Sequence, residues 1–411
     1  MTSDYKLPAR AWLIVGLLWI VGLLNYLDRV MITTMRQSIK EAIPMTEAQF
    51  GLLTTVFLLV YAVLSPFTGY LADRFNRSRV IIGSLFLWSL ITWLTGHAKT
   101  YEQLLLTRAL MGLSEACYIP AALALIADYH RGPTRSFATG VHLSGVVVGS
   151  ALGGLGGWLA ERHGWAFAFD FFGLVGIGYS CVILALLRGP PPDLQADGAT
   201  PVILPRIHFG EAIASLFSQR AFILALGFWG LLGVAGWAVT GWMPTYLNEQ
   251  FHLPQGTAGL YATGFINFAS LLGMLIGGAW ADRWSSTNER ARILVPVIGL
   301  SVAAPAILLA SSTPVLAIAL AALVCYGLAR TFVDANMMPI LCLIADPRYR
   351  ATGYGVLNFL ACIVGGATIY AGGMLRDAHV NISHVFQFGA LTIAVCAVLL
   401  WFIKPRRAAT G

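Results

Sequence analysis

The chain is short of charge. Only 11% of its 411 residues are Asp, Glu, Lys or Arg, against about a quarter in an average soluble domain, while 57% are hydrophobic and the mean hydropathy is +0.73. Such a chain belongs in a bilayer. Cysteine is scarce too: the six thiols all fall in apolar stretches and form no CxxC pair, so neither a disulfide framework nor a zinc site is expected. No glycine-rich loop ends in Lys-Ser/Thr, which removes ATP as the energy source, and no cluster of nucleophile and base supports an enzyme. No cofactor is implied. Lys6 and Arg10 precede an apolar run, but no small-residue cleavage site follows, so the run reads as a retained first helix and not a signal peptide. A receptor or scaffold would need soluble sensory domains or long tails, and the sequence has neither.

What remains is apolar sequence in lengths of about 20 residues or more, enough to cross a membrane as helix. Twelve spans are predicted, at 11–33, 50–72, 79–97, 102–127, 136–160, 165–187, 221–247, 256–281, 292–310, 314–345, 350–375 and 383–403. The expected fold is an all-α membrane protein with twelve transmembrane helices in two pseudo-symmetric six-helix bundles, 1–188 and 221–411, joined by a cytoplasmic linker at 189–220. That linker is rich in proline from Arg188 to Pro205, and Phe209 to Phe217 has the pattern of a short amphipathic helix on the membrane surface. With both termini cytoplasmic, 18 Lys and Arg fall on the inner side and 5 on the outer. This satisfies the positive-inside rule and points to an inner (plasma) membrane location; the formal charge of +7 is then a topology signal and not a nucleic-acid footprint.

Three ionisable pairs interrupt the apolar runs: Asp28 with Arg29, Arg108 with Glu115, and Arg330 with Asp334. Charges at membrane depth cost several kcal/mol unless paired or hydrated, so they mark an internal polar pathway. The two halves also echo each other. Gly69 to Phe75 reappears as Gly278 to Trp284, offset by 209 residues, and Ile126-Ala127-Asp128 reappears as Ile344-Ala345-Asp346. Glu115 and Asp334 each stand five residues before a proline, Pro120 or Pro339, so they hold equivalent places. Parallel repeats with a site between them are a carrier architecture.

Spacing suggests roles. Arg108 and Glu115, seven apart, share a helix face about 10 Å apart along the axis. Opposed helix directions bring Asp28 to the depth of Arg108, which predicts an Asp28–Arg108 pair and leaves Arg29 as a free cation able to grip a carboxylate bidentately. Substrate at Arg29 would change the proton affinity of Asp28 or Glu115; the other reading is a permanent ion network holding helices together. Arg330 and Asp334, four apart, can pair on one face, and the spacing leaves packing and substrate binding equally open. Tyr26, Tyr61, His142, Tyr326 and Asn358 offer hydrogen bonds to a cargo, or are packed polar side chains with a structural task. Asp73, Arg74 and Arg77 between spans 2 and 3, with Asp282 and Arg283 as their degraded second copy, are expected to latch the halves on the cytoplasmic side, or simply to set topology. The glycines from Gly140 to Gly157 let the fifth span approach its neighbours.

Gly69-x-Leu71-x-Asp73-Arg74-x-x-Arg77 resembles the loop signature of the major facilitator superfamily. Asn25-Tyr26-x-Asp28-Arg29, Arg108-x6-Glu115, Gly164-Trp165 and Gly355-x-x-Asn358-Phe359 together resemble its anion:cation symporter family, which includes bacterial sugar-acid and hexuronate carriers; Spinster-like lipid carriers share the first two. The resemblance implies proton-coupled symport of a small organic anion, a sugar acid, by a monomer through alternating access, with Asp28 and Glu115 carrying the proton. Its alternative is a Spinster-like carrier of a lysolipid or other amphipathic anion.

Overall fold

A chain in hydrocarbon must satisfy every backbone N–H and C=O internally, and helices do so segment by segment. The computed structural model describes residues 9–130, 134–187, 209–288, 290–346 and 349–403, and among them it has twelve helices long and apolar enough to cross a membrane. They are α1 (Ala9–Thr34), α2 (Glu47–Arg74), α3 (Arg77–Gly96), α4 (Tyr101–Tyr129), α5 (Phe137–His163), α6 (Trp165–Leu186), α7 (Arg220–Gln250), α8 (Gln255–Ser285), α9 (Ala291–Ala310), α10 (Leu316–Ile344), α11 (Arg350–Asp377) and α12 (Ser383–Phe402). Large apolar side chains such as Phe67, Phe268 and Leu391 are exposed on the outer surface, as lipid-facing positions require. This is a multi-pass membrane protein.

The first six helices pack among themselves through α1 on α5, α3 on α6 and α2 on α4; the last six through α9 on α10, α8 on α10 and α7 on α11 and α12. The two bundles meet along α2 with α11, α5 with α8, and α1 with α7. Small residues make these seams possible. A Cβ at Gly51 would stand 2.8 Å from Ile369 O, and one at Gly154 2.7 Å from Leu260 Cα. We expect Gly154→Val to wedge α5 from α8 at an overpacking cost of about 1–3 kcal/mol, read as a lowered melting temperature of the purified protein; an unchanged melting temperature would show the seam to be loose.

Several local features were not expected. A short helix, Arg36–Ala42, caps the bundle after α1, at the end opposite the termini, called the distal end below. In α4 the helical ladder lapses at Ala116 and Cys117, since Pro120 has no N–H and its ring crowds the carbonyl four residues back. In α8, Tyr261–Phe265 forms a π-helical turn, and Asn267 donates a hydrogen bond of 2.8 Å to the Thr263 carbonyl. The amphipathic segment Phe209–Phe217 is a helix as expected. It buries Ala212 and Leu216, and Tyr349 Oη donates to its Glu211 at 2.8 Å, tying it to the second bundle.

Candidate functional site

Where α1, α7, α8, α10 and α11 converge between the bundles, they enclose a cavity of about 360 Å³. Most of its lining comes from the second bundle, including Tyr326, Arg330, Asp334 and Asn358; Tyr26 and Arg29 reach it from the first. Arg330 donates to Asp334 at 3.0 Å, and both side chains keep a quarter of their surface exposed. The pair therefore faces the cavity and is not buried between helices. Tyr326 is 1% exposed, and neither its hydroxyl nor Arg330 Nε has a hydrogen-bond partner among the described residues. We expect Arg330→Met combined with Asp334→Leu to fold and insert, since the double change leaves neither charge without its partner, yet to lose uptake; wild-type uptake in proteoliposomes would reduce the pair to scaffolding.

The first bundle carries the other two pairs, with partners different from those expected. Arg29 donates through Nη2 and Nε to Glu115 Oε2 at 2.8 and 3.2 Å. Its guanidinium is also boxed by the rings of Tyr26, Tyr61 and Phe57 at 4.4, 4.7 and 4.9 Å. Asp28 instead accepts from Thr92 of α3 at 3.2 Å, and Arg108 donates to the Met111 sulfur at 2.8 Å with its plane over Phe57. The expected Asp28–Arg108 pair is thus not formed, and Arg29 is not an uncommitted cation. Adjacent residues on a helix point about 100° apart, so turning Arg29 toward α2 and α4 turns Asp28 toward α3. Arg29 also lines the cavity, so the buried pair stands against its wall.

Asp28, Arg29, Arg108 and Glu115 are each less than 5% exposed. Removing either member of the Arg29–Glu115 pair would leave its partner buried and unpaired. His142 is fully buried, edge-on to Tyr118 at 5.9 Å, and does not line the cavity, so it makes no cargo contact in this conformation. Tyr61 does not line the cavity either; its ring meets the Arg29 guanidinium and stacks on Phe57. Among the described residues no group of three His, Cys, Asp or Glu side chains could hold a metal ion.

Part of the expected cytoplasmic latch can be placed. The side chains of Asp73 and Arg74 lie outside the described residues. Arg77 pairs with Asp128 and reaches Ala124 O at 3.4 Å, both within its own bundle, because α3 begins beside the end of α4. Asp282 pairs with Arg292 at 3.2 Å, again within one bundle, and Arg283 is exposed with no side-chain partner among the described residues. Between bundles, the ion pairs among the described residues lie at the distal end. There Glu47 of α2 is held by Arg36 and Lys40 and faces Arg376 of α11 at 3.5 Å, while Glu249 of α7 takes both Arg376 (2.6 and 2.8 Å) and Arg36 (3.2 Å). Asp377 then accepts from the backbone N–H of Glu47 and Ala48 at 2.8 and 2.9 Å, so the N-terminus of α2 is capped by the other bundle. Sequence reading missed this lock. Its signal was there: opposite charges at the ends of spans 1, 2, 7 and 11, all on one side, of which only the cations were weighed, and for topology alone.

The model of the family described as Major Facilitator Superfamily matches residues 18–369. An MFS-type efflux pump of Mycolicibacterium smegmatis is 30% identical over 92% of this chain and 87% of its own length. Protein spinster homolog 1 is 28% identical in Xenopus laevis and in Homo sapiens, over 90% of this chain and 73% and 74% of theirs. The crystal structure of a bacterial homologue of the human lysosomal transporter Spinster, inward-facing and unoccupied, superposes with a TM-score of 0.76 at 22% identity, covering 96% of this chain and 95% of that one. Spinster proteins thus stand among the relatives, whereas the likeness to anion:cation symporters rests on the short motifs alone. The chain belongs to the Major Facilitator Superfamily and is a transporter, not an enzyme.

Proposed function

We propose that this protein is a secondary carrier of an amphipathic organic anion of the lysolipid class, working by alternating access. The observation that carries this reading is the make-up of one cavity: Arg29 and Arg330 offer cationic head-group contacts, while Trp229, Leu232, Val239, Ile266 and Met337 supply an apolar wall. A small sugar acid would use the arginines and leave that wall wet, which favours the amphipathic cargo over the sugar-acid symport expected from the motifs. An anionic head taking Arg29 releases Glu115, and a proton on Glu115 or Asp28 then keeps the interior neutral. Coupling to protons is thus proposed through the same contact that binds cargo. One chain encloses the whole cavity, which supports a monomer, and the 18-to-5 distribution of cations supports cytoplasmic termini in a plasma membrane. The test is a thermal-shift screen of the purified protein against lysolipids, sugar acids and monocarboxylates, since a ligand of the folded state stabilises it by mass action. Stabilisation by sugar acids and not by lysolipids would reverse the choice of cargo.

A further inference from the structure

The second copy of the repeated loop motif has no part in the site just described, yet it is built unlike the first. Where the first half has Leu71 and Phe75, the second has Trp280 and Trp284, on either side of Arg283. The two indoles stack with centroids 6.3 Å apart and planes 15° from parallel. Together with Arg283 and Thr287 they line a shallow surface depression at the end of α8, where the apolar span gives way to the loop. Trp280 is 40% exposed but not loose, because its ring meets Phe332 of α10 edge-on at 6.0 Å. Phe332 is itself wedged against α8 and α9: Cβ atoms at Gly277 and Gly299 would fall 2.7 and 2.9 Å from its atoms. The Trp280 ring is therefore backed by a packed side chain of α10.

Charge completes the site. Asp282 already pairs with Arg292 at 3.2 Å, which leaves the Arg283 guanidinium exposed without a partner among the described residues. An indole seeks the boundary between hydrocarbon and water, and a guanidinium grips phosphate through two parallel hydrogen bonds. We propose that Trp280, Arg283, Trp284 and Thr287 form a binding site for the head group of an anionic phospholipid at the membrane surface. The phosphodiester sits on Arg283, Thr287 supplies a hydroxyl donor, and the glycerol backbone and upper acyl chains lie along the stacked indoles. A free phosphate ion has no use for the indoles, so the occupant is a lipid.

The experiment needs no knowledge of the transported cargo. The purified full chain is mixed with phosphatidylglycerol, phosphatidylcholine or inorganic phosphate, and melting temperature and lipid retention in native mass spectra are read. We expect phosphatidylglycerol alone to raise the melting temperature and to persist as an adduct, Arg283→Gln and Trp284→Leu to lose most of both effects, and Arg135→Gln, an exposed cation elsewhere, to keep them. Equal effects of phosphatidylcholine, a full response to inorganic phosphate, undiminished binding by Arg283→Gln and Trp284→Leu, or equal loss in Arg135→Gln would each overturn the site.

Discussion

Arg29→Met is expected to cost about 3–5 kcal/mol of stability, because it leaves Glu115 charged, buried and unpaired. The loss of three ring contacts to the guanidinium adds to this, at about 0.5–2 kcal/mol for a cation over a ring. Combining it with Glu115→Leu should recover most of the stability, since the stranded carboxylate is gone. Transport should not return with it. If Arg29 is where cargo anion and Glu115 compete, the double variant melts near the wild type yet neither accumulates cargo nor shows a ligand-induced thermal shift. Measured on purified protein and in proteoliposomes, a stable double variant that still transports would remove Arg29 and Glu115 from the mechanism, and a stable single variant would show the pair to be hydrated and dispensable.

The second large effect is expected at the distal lock. Hydrogen bonds to charged groups are worth about 1.5–3 kcal/mol each, and taking a two-state carrier from one dominant form to the other needs about 5.5 kcal/mol of bias. Glu47→Gln removes the charge that faces Arg376 across the seam, and Asp377→Asn weakens the two bonds that cap α2 from the other bundle. Together they reach that size, so the double variant should spend most of its time with the distal end open, and each single variant should open it in part. Spin labels at Gln37 and Gln250, both exposed at that end, would report a longer distance. An unchanged distance distribution would mean that the glycine seams alone hold the bundles together.

The sequence made the spans legible because twelve apolar runs of membrane length leave a chain few choices. The helix at Phe209–Phe217 was legible for the same reason: its apolar face has a helical period and one place to bury it. The pairing of the buried charges was not. Periodicity says which residues share a face, and Arg29 and Asp28, one residue apart, must face different neighbours; nothing in the spacing says that Thr92 and Met111 stand where a charged partner was expected. The distal lock escaped for another reason, since its members are spread from Arg36 to Asp377 and meet only when two bundles close. Motif copies misled in their own way, as Asp282 and Arg283 keep the letters of the first copy but not its surroundings.

The π turn in α8 has a consequence for what this helix can tolerate. Thr263, within the turn, accepts from the Gly154 amide at 3.1 Å and donates to Ala151 O at 2.8 Å, locking the turn to α5, while Asn267 and Ser270 just beyond it line the cavity. A π turn holds one more residue than an α turn. Deleting a single residue there would restore an ordinary helix and advance everything after it by about 100° around the axis. Either the contact with α5 or the cavity wall would keep its place, never both. One extra residue thus acts as a gear offset that lets a single helix serve two partners out of step with each other.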